Sequence, residues 1–69
     1  MEQKATTAKE RVEIEKAELS DRLEKLNVYI ANNPHFKTLS DSMQALLIEQ
    51  ASHMSAYRDC LQSRLEIWE

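Results

Sequence analysis

The sequence predicts an all-α fold: two long helices folded back on each other as an antiparallel hairpin. Three observations carry this prediction. The 69 residues include no glycine and a single proline, Pro34, near the midpoint. Twelve acidic and nine basic side chains are woven among Leu, Ala and Gln, the composition of long helices and coiled coils. On each side of Pro34, apolar residues recur at alternating spacings of three and four, as one buried helical stripe requires. A chain this short makes one domain, residues 7–69, and residues 1–6 have nothing to bury and are expected to fray.

The first helix is expected over about 7–32. Thr7 and Glu10 have the capping-box spacing, a hydroxyl for a free amide and a carboxylate reaching back. Val12, Leu19, Leu23, Leu26 and Ile30 form a stripe close to a heptad seam, with Lys16 where the seam would otherwise be apolar. Glu18–Arg22 and Asp21–Lys25 are i,i+4 pairs in the favourable order, each worth about 0.3 kcal/mol. The outer face of this helix belongs to water.

Residues 33–40 form the expected link. Pro34 disfavours helical geometry at Asn33. With no glycine available, Asn32 or Asn33 is the expected left-handed residue at the helix end. Phe36 and Leu39 are expected to fold over the end of the helical core. Ser40 or Asp41 then caps a second helix over about 41–67, Asp41 and Gln44 forming another candidate capping box. Helices of matched length joined by a short link give the hairpin.

The second helix is the less ordinary one. Met43, Leu47, Met54, Tyr57, Leu61 and Trp68 keep the stripe, Gln50 and Arg64 complete it, and Leu46, Ala51 and Leu65 widen it. Beside it run Ser52, Ser55, Ala56, Cys60 and Ser63, small side chains that let another helix come close. A two-helix seam is a thin core for a chain of this length. Self-association is therefore expected through Leu47, Gln50, Met54, Tyr57, Leu61 and Trp68. A homo-oligomer follows, a dimer favoured, in which two hairpins form a four-helix bundle.

Composition narrows the function classes. A net charge of −3 with mixed signs offers no basic face for phosphates, so nucleic-acid binding is not expected. The longest apolar run, "ALLI" at 45–48, is too short for a bilayer, and the N-terminus lacks the apolar core of a signal peptide. Cys60, the only cysteine, fits a reducing compartment, and the chain reads as cytoplasmic. His35 and His53 lie far apart, no Cys/His set has zinc spacing, and a glycine-rich phosphate loop is impossible. Neither an enzyme nor a cofactor is expected. The residues with chemistry to offer a ligand or partner are His53, Tyr57, Arg58, Arg64 and Phe36. A tyrosine can stack on a base and an arginine can hold a phosphate, whereas the plainer reading packs Tyr57 in the seam with its hydroxyl at the rim.

The order of residues resembles a family of very short bacteriophage and prophage proteins of unknown function, related to one in crAss-like phages. "ERV" at 10–12, "EKAEL" at 15–19, "KL" at 25–26 and Ile30 carry its first half. Phe36, Leu39, "LL" at 46–47, Gln50, Met54, Tyr57, Leu61 and Arg64 carry its second half. The resemblance covers about residues 10 to 65; "LEIWE" at the end departs from the pattern, so no role for Trp68 follows from it. It implies a protein that acts by binding in the host bacterial cytoplasm. The leading expectation is a non-enzymatic, phage-encoded inhibitor of a bacterial defence or host protein. The alternatives are an oligomeric sponge that sequesters a cyclic nucleotide signal, and a structural or assembly accessory.

Overall fold

A computed structural model describes residues 7–68 as two helices and a connecting turn. Helix α1 is Ala8–Asn32 and helix α2 is Asp41–Glu66, with a 3₁₀ turn at Pro34–Thr38. No strand occurs among the described residues. The expectation for residues 1–6 lies outside them. At 1.5 Å per residue the helices are each about 37–39 Å long.

Helix α1 starts where the capping box requires. The Thr7 hydroxyl accepts from the Glu10 amide at 3.1 Å, and the Glu10 carboxylate accepts from the Thr7 amide at 3.1 Å. Two otherwise unpaired amides are thereby satisfied. Asp21 and Lys25 pair at 3.1 Å on the exposed side, a contact that solvent keeps weak.

The two helices meet along matching seams. On α1, Val12 and Leu23 are buried, and Lys16, Leu19, Leu26 and Ile30 between and beyond them are half-buried. On α2, the burial follows Leu47, Ala51, Met54, Arg58, Leu61 and Leu65 and ends on Trp68. Both series alternate steps of four and three, so each helix keeps one face on the other along its length. Leu61, 1% exposed, is the most enclosed side chain. Only Val12, Leu23, Phe36 and Leu61 are buried apolar side chains among the described residues. The radius of gyration, 15.3 Å, exceeds the roughly 11 Å of a compact domain of this length, so the hairpin is a rod with a thin core.

The link departs from expectation in two places. No described residue has positive φ, and Asn33 is extended at φ −86°, ψ 118°. Pro34 explains the correction: its ring holds the preceding residue in extended geometry and starts the 3₁₀ turn at once. The Asn33 side chain accepts from the His35 amide at 2.9 Å, capping that turn. Of the two cap residues expected for α2 the structure selects Ser40, its hydroxyl accepting from the Met43 amide at 3.1 Å, and the second correction is to the Asp41–Gln44 capping box. The Gln44 side chain does not reach back to Asp41. It donates to the Leu39 carbonyl at 2.9 Å, tying the link to the first turn of α2.

Phe36 closes the end of the core as expected, 6% exposed and edge-on to Tyr29 with ring centroids 5.9 Å apart. The Tyr29 hydroxyl and His35 Nδ1 share a hydrogen bond of 2.8 Å. This cluster fastens the last turn of α1 to the turn that reverses the chain.

Two outcomes follow for stability. Leu61→Ala should lower unfolding free energy by about 2–5 kcal/mol, whereas Val28→Ala, at a site 52% exposed, should change it by less than about 0.5 kcal/mol. Urea unfolding followed by circular dichroism measures both, and equal costs would contradict the seam described here. A double-mutant cycle of Tyr29→Phe and His35→Ala should give a coupling of about 0.5–1.5 kcal/mol; additivity would mean that the hydrogen bond is not formed in solution.

Candidate functional site: the uncovered face of α2

Once one face of α2 lies on α1, the residues beside that face decide what the hairpin offers. Leu46, Gln50, His53 and Tyr57 follow one another at steps of four, three and four, so they share a face. With Glu49 and the inner side chain Met54 they line an open, largely apolar trough along the helix. Leu46 is 60% exposed and Tyr57 is 46% exposed, and Met43, one turn before Leu46, is also exposed. Such side chains in a row on a small surface mark a contact site more than a solvated face.

The polar groups of the trough are held lightly. His53 Nε2 lies 3.5 Å from the Glu49 carboxylate one turn earlier, with both side chains well exposed. The Gln50 amide touches the Met54 sulfur at 3.8 Å, a weak contact that leaves most of its hydrogen-bonding capacity open. Arg64, seven residues beyond Tyr57, lies on the same face about 10 Å further along. Its guanidinium sits 5.8 Å from the centre of the Trp68 ring.

The structure thus gathers some of the candidate residues and separates others. Gln50, His53, Tyr57 and Arg64 share the exposed face. Leu61 is buried in the seam with α1, and Leu47, Met54 and Trp68 are half-buried on the same side. Phe36 is part of the core at the chain reversal and presents little surface to a ligand. Arg58 lies on the other flank, in a groove between the helices with Ser20, Leu23, Asn27 and Val28. Its side chain is 36% exposed and its distance to Asp59 is 3.8 Å, so packing of its stem outweighs that ion pair. Cys60 is exposed and free.

Leu46 and Glu49 were not singled out from the sequence as contact residues. The available signal was register: Leu46 is seven residues before His53, and so in the same helical column. No group of three or more His, Cys, Asp or Glu is placed to hold a metal among the described residues. Among the described residues no helix is long and apolar enough to cross a membrane.

A family model described as Sequestin matches residues 6–67, and the chain belongs to that family. No curated protein and no solved structure gives a significant match.

The assignment of Arg58 to packing has a direct check. Arg58→Ala should destabilise the hairpin by about 1 kcal/mol, and Arg58→Met, which keeps an apolar stem, should restore most of it in thermal unfolding. Equal destabilisation by both would make the charge, and not the stem, the useful part.

Proposed function

We propose that this member of the Sequestin family is a non-enzymatic sequestering protein that holds a small anionic nucleotide signal at the exposed face of α2. The observation that carries the reading is the trough, an aromatic ring left open beside hydrogen-bonding side chains on a weakly charged helix face. The family's name denotes sequestration. Taking a ligand out of circulation asks for tight, stoichiometric contact and no bond-making step.

Each residue has a role that its chemistry supports. Tyr57 offers a π-face on which a base can stack whatever its identity. His53 and Gln50, one to two turns earlier, bring donors and acceptors suited to a base edge. Arg64, about 10 Å from Tyr57 along the helix, brings a fork of donors for a phosphate. The net charge of −3 gives no long-range attraction to an anion, so recognition rests on these contacts. The resemblance to short phage and prophage proteins supports a setting in the bacterial cytoplasm during infection. The signal would then be a cyclic nucleotide made by a bacterial defence system, held at a junction between copies of the chain.

A second reading is favoured by the exposed Met43, Leu46 and Tyr57, which also suit an apolar protein surface. On that reading the chain blocks a bacterial defence or host protein directly.

A thermal shift screen with cyclic di- and trinucleotides separates the two. A sequestered ligand at about a hundred times its Kd should stabilise the fold by about 2.7 kcal/mol, and Tyr57→Ala or Arg64→Ala should remove most of that gain. If no cyclic nucleotide stabilises the protein while a bacterial protein co-purifies at fixed stoichiometry, the second reading replaces the first.

A further inference from the structure

The uncovered face of α2 is a second heptad seam. Met43, Gln50, Tyr57 and Arg64 form one column at intervals of seven, all exposed. Leu46, His53, Cys60 and Ile67 form the neighbouring column, also all exposed. Taken alternately, the two columns step by three and four from Met43 to Ile67, about 36 Å of helix. Among the described residues, four of the seven exposed large hydrophobic side chains, Met43, Leu46, Tyr57 and Ile67, fall in these columns. One formal charge, Arg64, lies among the eight positions. A regular seam of this length is built for another helix.

We propose that its occupant is a second copy of the same chain, with α2 antiparallel to α2 across a two-fold axis midway between His53 and Tyr57. In an antiparallel pair the two columns meet crosswise. Centred on that axis, Met43 lies against the partner's Ile67, Leu46 against the stem of the partner's Arg64, and Gln50 against the partner's Cys60. His53 lies against the partner's Tyr57. This register covers all four exposed apolar residues at once. Because α2 spans Asp41–Glu66, a slip of one heptad in one direction carries Met43 and Leu46 past the end of the partner helix, and in the other it carries Ile67 past its start.

Charge selects the orientation. Parallel pairing would stack Arg64 on the partner's Arg64 inside the seam, where like charges repel. Antiparallel pairing brings Arg64 within one turn of the partner's Glu49, the one charged residue of the adjoining column, and symmetry repeats the contact. The other members of that column, Ser42, Ala56 and Ser63, are small enough to admit a close neighbour. The hairpin also has room for such a partner: among the described residues only four apolar side chains are buried and no group of His, Cys, Asp or Glu is placed to hold a metal.

The pairing does not depend on what is sequestered, although it gathers two copies of His53 and of Tyr57 around one axis. The Tyr57 face that is open in a single hairpin is then shared with the partner, and a ligand captured at the axis touches both chains.

Cysteine cross-linking of ligand-free protein tests the register. Along the antiparallel pair the two native Cys60 residues are about 15 Å apart, too far for a disulfide, whereas Gln50→Cys sets a thiol opposite the partner's Cys60. Native mass spectrometry of the wild type should give twice the 8.1 kDa chain mass with no covalent link under mild oxidation. The Gln50→Cys variant should become a covalent dimer, and Gln50→Cys combined with Cys60→Ser should not. Tyr57→Glu, which sets two carboxylates beside the axis, should weaken the dimer on the order of tenfold or more. A monomeric wild type, a Cys60–Cys60 link in the wild type, or a Gln50→Cys variant that fails to cross-link would each overturn the proposal. A monomeric wild type would also remove the junction from the proposed site, whereas nucleotide binding itself is decided separately by the thermal shift screen.

Discussion

The hairpin depends on one narrow seam, closed by Val12 and Leu23 on α1 and by Leu61 on α2. Within one chain, each helix of 25 or 26 residues leans on the other and, at the reversal, on Phe36. Hydrophobic burial scales with the apolar area removed from water, and a two-helix contact removes little of it. Local terms therefore matter more than in a larger domain. The Thr7–Glu10 box, the Ser40 cap and the Gln44 contact to Leu39 each satisfy backbone groups that a thin core cannot cover.

The chain reversal shows how this is achieved without glycine. A left-handed residue would end α1 at a steric cost for any side chain. Pro34 avoids it by keeping Asn33 extended and starting a 3₁₀ turn immediately. That turn carries Phe36 back over the end of the core and brings His35 to the Tyr29 hydroxyl. One proline thus both stops the first helix and aims the second, which sets which face of α2 meets α1.

That rotation has functional consequences. With Leu61 turned inward, Tyr57, His53 and Gln50 are left on the outside together with Leu46. These side chains add nothing to the intrachain core, and their exposure would be a solubility cost in a protein with no use for them. The same face supplies the trough of the proposed sequestering site and the seam of the proposed dimer. A small binding protein gains by such overlap, because a site at the axis of two copies encloses a ligand that one rod cannot surround.

The sequence by itself determined the helices. Residues that favour helix, the Thr7–Glu10 spacing, Pro34 and the four-three stripe of Val12, Leu19, Leu23, Leu26 and Ile30 are local signals, legible one turn at a time. On α2 the same reasoning reached a limit. The column Leu47, Met54, Leu61 and Trp68 is bordered on one side by Ala51, Arg58 and Leu65 and on the other by Gln50, Tyr57 and Arg64. Each border completes a heptad seam, and periodicity alone treats them alike. Only the tertiary structure decided that the Ala51–Arg58–Leu65 border packs on α1, because small Ala51 and the long stem of Arg58 fit a close helix and the reversal at Pro34 fixes the approach. The other border, with Tyr57 at its centre, was thereby left uncovered.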